Sequence, residues 1–204
     1  MHASPDAYAG VFLRGRCHDA GSGRDAVKAA TRAARDRMAK SSNTTDWFAE
    51  GLHRIRECFD HVQAGRVIPV DELAWLGVLL TSVLIRDIAF TFCRAYGDDV
   101  ARRLWTEVAC RVEPEFVPAP AANLAFLAAR SDDLALARAA AERALTIDPE
   151  YSFANLIMHG LNMGVPPARL RDIDLDDLAA QITERAMEHP AETRPVLPPA
   201  PDPS

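Results

Sequence analysis

Residues 73–92 constrain the fold more than any other part of the chain. Leu73, Leu76, Leu80 and Leu84 step by three and four residues, the spacing of a helix face. The positions between them are also nearly all apolar, so the segment offers water no polar face and belongs at the centre of the molecule. Asp71 and Glu72 precede it, and Arg86 and Asp87 interrupt it. The uncharged part between those pairs is too short to span a bilayer. A break within residues 81–84 divides the segment into two helices. A chain with such a centre needs other helices to surround it.

The remaining sequence supplies them. Residues 25–40 are rich in alanine and arginine, which favour helix and give it a cationic surface. A second helix starts near Thr45 or Asp46, carries Trp47, Phe48, Leu52, Ile55, Phe59 and Val62 at helical spacings, and stops at Gly65. Gly97 and Asp98 end the central segment and cap the next helix, whose face is Leu104, Trp105, Val108 and Val112. Pro114, Pro118 and Pro120 mark a connector outside any helix interior. From Ala121 a helical hairpin begins, with Ser131, Asp132 and Asp133 as its turn and Pro149 as its stop. Another helix covers 151–163, ending at Gly164, Pro166 and Pro167. A last one covers 174–188, with Asp174, Asp176 and Asp177 at its positive dipole end. No segment has convincing strand alternation beyond a weak candidate at residues 8–13. The expected fold is all-α, a compact array of about seven or eight helices. Residues 1–24 form a poorly ordered lead-in, 25–189 the helical domain, and 190–204 a proline-rich disordered tail.

Charge and cysteine usage narrow the function classes. The net charge of -6 argues against non-specific nucleic-acid binding by the whole chain. Cys17, Cys58, Cys93 and Cys110 contain no CxxC pair and do not make a disulfide framework, so reduced thiols are expected. The first ten residues lack the basic start and apolar run of a signal peptide. These features point to a cytoplasmic protein. The Ala- and Arg-rich, Lys-poor composition fits a GC-rich genome.

Two resemblances arise at and around the hairpin. Leu124 and Ala125 in its first helix, Ala137 and Ala144 in its second, and Pro149 after it resemble one tetratricopeptide repeat. Ala128 and Ala141 stand where that pattern has bulky residues. One repeat cannot stand alone, so the hairpin must pack on the preceding helices. The second resemblance covers residues 64–167. LIRDIAF (84–90), RLWTEVA (103–109), PEFVPAPAANLAFLA (114–128), LALARAAAERALTIDPEYSFANLI (134–157) and GVPP (164–167) resemble the C-terminal helical half of the actinobacterial domain-of-unknown-function 4192 family. That resemblance implies a helical domain and supplies no catalytic residues. Members of the family usually carry an α/β N-terminal half, which is not recognisable in this sequence.

Candidate sites rest on side-chain chemistry. By analogy with the repeat, Asn123, Phe126 and Arg130 would face a bound peptide, with Asn155 nearby. Amide and guanidinium groups can hold a peptide backbone or carboxylate. The alternative is that Phe126 is core and the others are surface. Lys28, Arg32 and Arg35 on the basic helix could meet phosphate, against the plainer reading of a solvated face. His53, Glu57 and His61 recur every four residues and are weak metal candidates. They have no evident fourth ligand, and a solvated polar face accounts for them as well. Arg86 and Asp87 read as a helix-end cap or a buried link to a neighbouring helix, or as a polar contact at a pocket. There is no phosphate loop, no GxSxG and no paired catalytic carboxylates. No cofactor is implied. The expected function is a non-enzymatic protein-interaction or scaffold module. The alternatives are a nucleic-acid adaptor using residues 24–40 and, third, a metal protein or enzyme.

Overall fold

The computed structural model describes residues 21–42 and 44–199. Helix α1 is Gly21–Lys40, α2 Trp47–Gln63, α3 Val70–Leu79, α4 Val83–Thr91, α5 Cys93–Tyr96 and α6 Asp98–Arg111. The second half holds α7 Pro118–Arg130, α8 Leu134–Ile147, α9 Ser152–Asn162, α10 Pro167–Arg171 and α11 Leu175–Glu188. Short 3-10 turns occupy Pro114–Phe116 and Pro190–Thr193. Among the described residues there is no strand, and the fold is all-α. The candidate strand at residues 8–13 lies outside the described residues.

The break in the apolar segment falls where the sequence places it. Helix α3 ends at Leu79, Ser82 caps α4 by accepting from the Ile85 amide, and the chain bends by 115°. Both halves are buried, with Leu73, Leu76, Leu79 and Ile85 fully enclosed. Among the described residues no single helix is long and apolar enough to cross a membrane.

Close helix approach is built around small residues. Gly51 on α2 lies against α4, where an added Cβ would sit 2.7 Å from Ile85 Cγ2. Nearby, the Phe59 ring stacks on Tyr96 at 4.7 Å and on Phe92 at 5.7 Å. Trp105 meets it edge-on at 5.8 Å. Such offset and edge arrangements add to the gain from burying the rings. Gly97, at φ 87°, supplies the left-handed turn between α5 and α6.

Helix α7 is the hub. It packs on α4, α6, α8, α9 and α10, and every residue from 118 to 129 is buried. It starts at Pro118, three residues before its expected start. Pro118 and Pro120 lie in the first turn, whose amides have no partner within the helix, so proline costs no hydrogen bond there. The α7–α8 hairpin turns through Asp132 at φ 65°. Asp133 then caps α8, accepting from the Leu136 amide.

Two further expectations change. The proline-rich stretch is described as far as residue 199 and lies against the helices. Thr193 is buried, Arg35 donates to the Pro198 carbonyl at 3.0 Å, and Leu197 packs on the core. Apolar and hydrogen-bonding contacts to α1 and α4 supply the order that its composition alone does not. Cys58 and Cys93 are buried free thiols, whereas Cys110 is disulfide-bonded, so the all-thiol expectation fails at Cys110.

Candidate functional site

The sequence-predicted peptide residues do not form an open groove. Asn123 is wholly buried, at 0% exposure, and neither amide atom has a hydrogen-bond partner among the described residues. Phe126 is 6% exposed and packs on Phe90 at 4.9 Å and Phe153 at 6.1 Å. Arg130 is partly buried; its Nη1 approaches Cys93 Sγ at 3.8 Å, and its carbonyl accepts from Arg171. Asn155 is exposed and donates to the Pro149 carbonyl. Asn123 is thus enclosed, and Phe126 packs against rings of α4 and α9.

The basic helix is partly neutralised. Arg35 pairs with Glu115 at 3.2 Å and lies over the Phe116 ring. Arg37 pairs with Glu50 and lies 4.0 Å from the Trp75 ring centroid. Glu50 also accepts from Trp75 Nε1 at 2.6 Å. Arg35 is therefore committed to the fold, while Lys28 and Arg32 remain exposed. The candidate metal trio does not converge either. His53 meets Glu57 at 3.4 Å, Glu57 pairs with Arg54, and His61 Nδ1 lies 3.3 Å from the Val67 carbonyl. Among the described residues no group of three or more His, Cys, Asp or Glu is arranged to hold a metal ion.

Arg86 is the buried link that its setting in the apolar segment implies. Its Nε donates to Asp87 at 2.7 Å, its Nη1 reaches Tyr151 Oη at 3.4 Å, and its guanidinium lies 5.2 Å from the Phe153 ring centroid. Burial pushes the Asp87 carboxyl up, with the Arg86 charge opposing the shift. Burial likewise raises the Tyr151 phenol. The network ties α4 to the start of α9 and satisfies a buried charge that would otherwise cost several kcal/mol.

What the sequence does not reveal is an apolar groove bounded by α7, α9, α10 and α11. It has a volume of about 360 Å³, and Phe90, Phe126, Phe153 and Ile157 form its floor. Leu134, Leu156, Val165 and Ile173 stand around it and are exposed, Leu156 most of all at 66%. Leu178 of α11 closes one side, and no polar side chain lines it. Larger cavities, of about 620 and 480 Å³, lie between α4 and the C-terminal segment, and both have charged residues in their walls. The groove differs in having only apolar residues in its wall. Phe126 thus lines this groove together with Phe90 and Phe153, the rings on which it packs. The available signal was the run of helical caps and terminators after residue 148. They create three short elements, α9, α10 and the start of α11, that cannot cover one another.

No curated protein matches the chain, and no solved structure does. A family described as Domain of unknown function (DUF4192) matches residues 10–168, which takes in α1 and α2 as well as the stretch whose motifs resemble it. The match spans well over half of the sequence, and the chain belongs to the DUF4192 family.

Proposed function

We propose that this protein is a non-enzymatic interaction module that receives the apolar face of a partner's helix in the groove bounded by α7, α9, α10 and α11. The observation that carries this reading is the concentration of exposed Leu134, Leu156, Val165 and Ile173 around one charge-free depression. Clustered apolar exposure on a folded surface is costly in water and marks binding sites, whereas scattered apolar residues need no explanation. The groove lies at the small end of ligand sites, suited to a few apolar side chains rather than a whole element. A helix offering residues at spacings of three and four meets that requirement. The α7–α8 hairpin supports a tetratricopeptide-like reading of the scaffold. Leu124, Ala125, Ala137 and Ala144 are buried along it, and Pro149 comes after it. The docking face is then the groove to which Phe126 and Leu134 of the hairpin contribute.

A display library of helical peptides tests the proposal. Selection on the wild-type protein is expected to enrich apolar residues at helical spacing. Binding of those peptides should fall more than about tenfold on Leu156→Glu, because burying one leucine contributes about 1.5–3 kcal/mol. Enriched peptides that bind wild type, Leu156→Glu and Ile173→Glu alike contradict it.

A further inference from the structure

We infer that the helix received by this groove is basic as well as apolar. The inference rests on the groove reading and adds the chemistry of the partner. The support is charge placement. Residues 131–188, which carry α8 to α11, hold eleven Asp and Glu against five Arg and no Lys. The rest of the chain is balanced, with eighteen acidic and eighteen basic side chains. The whole net charge of -6 therefore belongs to the segment that builds most of the groove.

Some of these acidic residues lie close to groove-lining residues in the chain. Asp172 and Asp174 flank Ile173 in the chain, and Asp132 lies two residues before Leu134. Asp132 and Asp172 are exposed and make no ion pair among the described residues. Asp174 caps α11 by accepting from the amides of Asp176 and Asp177, and Asp176 pairs with Arg94. Arg169 and Arg171 likewise flank Leu170, and Arg171 is held by the Arg130 carbonyl. The acidic excess attracts cations from a distance, while the floor takes only apolar groups. A helix with leucine-like residues on one face and Lys or Arg beside them satisfies both. Such complementarity raises the association rate and rejects acidic competitors.

The test uses two labelled peptides of about 18 residues, five turns of helix. Both have leucines at spacings of three and four; one has lysines elsewhere and the other glutamates. Fluorescence anisotropy is measured with the full-length protein at low and raised salt. The lysine peptide is expected to bind at least about tenfold more tightly than the glutamate peptide, and to weaken as salt screens the charges. It should also be lost on Leu156→Glu. That substitution adds negative charge, so the loss reports apolar contact and not repulsion. Asp132→Asn combined with Asp172→Asn should weaken the lysine peptide and leave the glutamate peptide unchanged or tighter. Equal binding of both peptides, lost on Leu156→Glu, overturns the charge inference and keeps the groove. Lysine-peptide binding that survives Leu156→Glu overturns it as surface attraction alone. Binding of neither peptide overturns both readings. If self-association is then abolished by Leu156→Glu, a second copy is the occupant.

Discussion

Helices α7 and α9 are both rich in apolar residues, and they end in different surroundings. Residues 118–129 of α7 are buried without exception, including the polar Asn123, because α4, α6, α8, α9 and α10 all pack on the helix. Helix α9 buries Ala154 and Ile157 against α7 and α8 but leaves Leu156 at 66% exposure. The difference lies in the next element along the chain. After α7 comes α8, fourteen residues long, which lies antiparallel and closes the core. After α9 come Gly164, Pro166 and the five-residue α10, too short to cover a helix face. Apolar composition therefore builds core in one place and an open docking surface in the other.

The sharpest way to test that contrast is to damage each region in turn. Trp105→Ala empties a fully buried site against Phe59 and should cost about 3–5 kcal/mol in urea unfolding. A loss below about 1 kcal/mol would mean that this region is not the tightly packed one. Gly51→Ala forces a methyl group into Ile85, and overpacking of this kind costs about 1–3 kcal/mol. An unchanged denaturation midpoint would show that α2 and α4 can separate freely. Asp133→Ala removes the cap of α8 and its 2.7 Å ion pair with Arg102, for an expected loss of about 1 kcal/mol.

Thiol chemistry sharpens the same comparison without a substitution. Burial pushes the Cys58 thiol from its ordinary value near 9 up to about 12. The raised value means the folded state holds the proton more tightly than the unfolded chain. The associated stability is complete below about pH 9 and is lost as pH climbs towards 12. Alkylation followed by mass spectrometry at pH 8 should leave Cys58 unmodified in native protein and modify it in urea. Rapid native labelling would show that the core opens.

Much of the fold was legible in the sequence because its boundaries are chemical. Asp46, Ser82, Asp133 and Asp174 each cap the helix that they precede in the sequence, and Gly97 turns where only glycine is comfortable. Arg86 was legible as a buried link because a charge inside an apolar run must find a partner. Its reach to Tyr151 confirms the link and names the partner helix. The groove was not legible, because Leu156 and Ile157 are adjacent apolar residues on one helix and only tertiary packing separates exposed from buried. Asn123 misled for the converse reason. A lone amide reads as surface, yet its helix is buried from residue 118 to 129.

The smallest expected effect on stability belongs to the groove itself, and it leads to the most direct measurement. Leu156→Glu should change stability by no more than about 0.5 kcal/mol, since the side chain is already largely in water. With that established, methyl-detected NMR of the wild-type protein, titrated with the leucine–lysine peptide, reads both regions at once. Shifts are expected at Leu134, Leu156, Val165 and Ile173, with Leu104, Leu124 and Leu127 unmoved. Shifts centred on the buried leucines of α6 and α7, or spread evenly over the molecule, would contradict the assignment of α7 to structure and of the α9 side to binding.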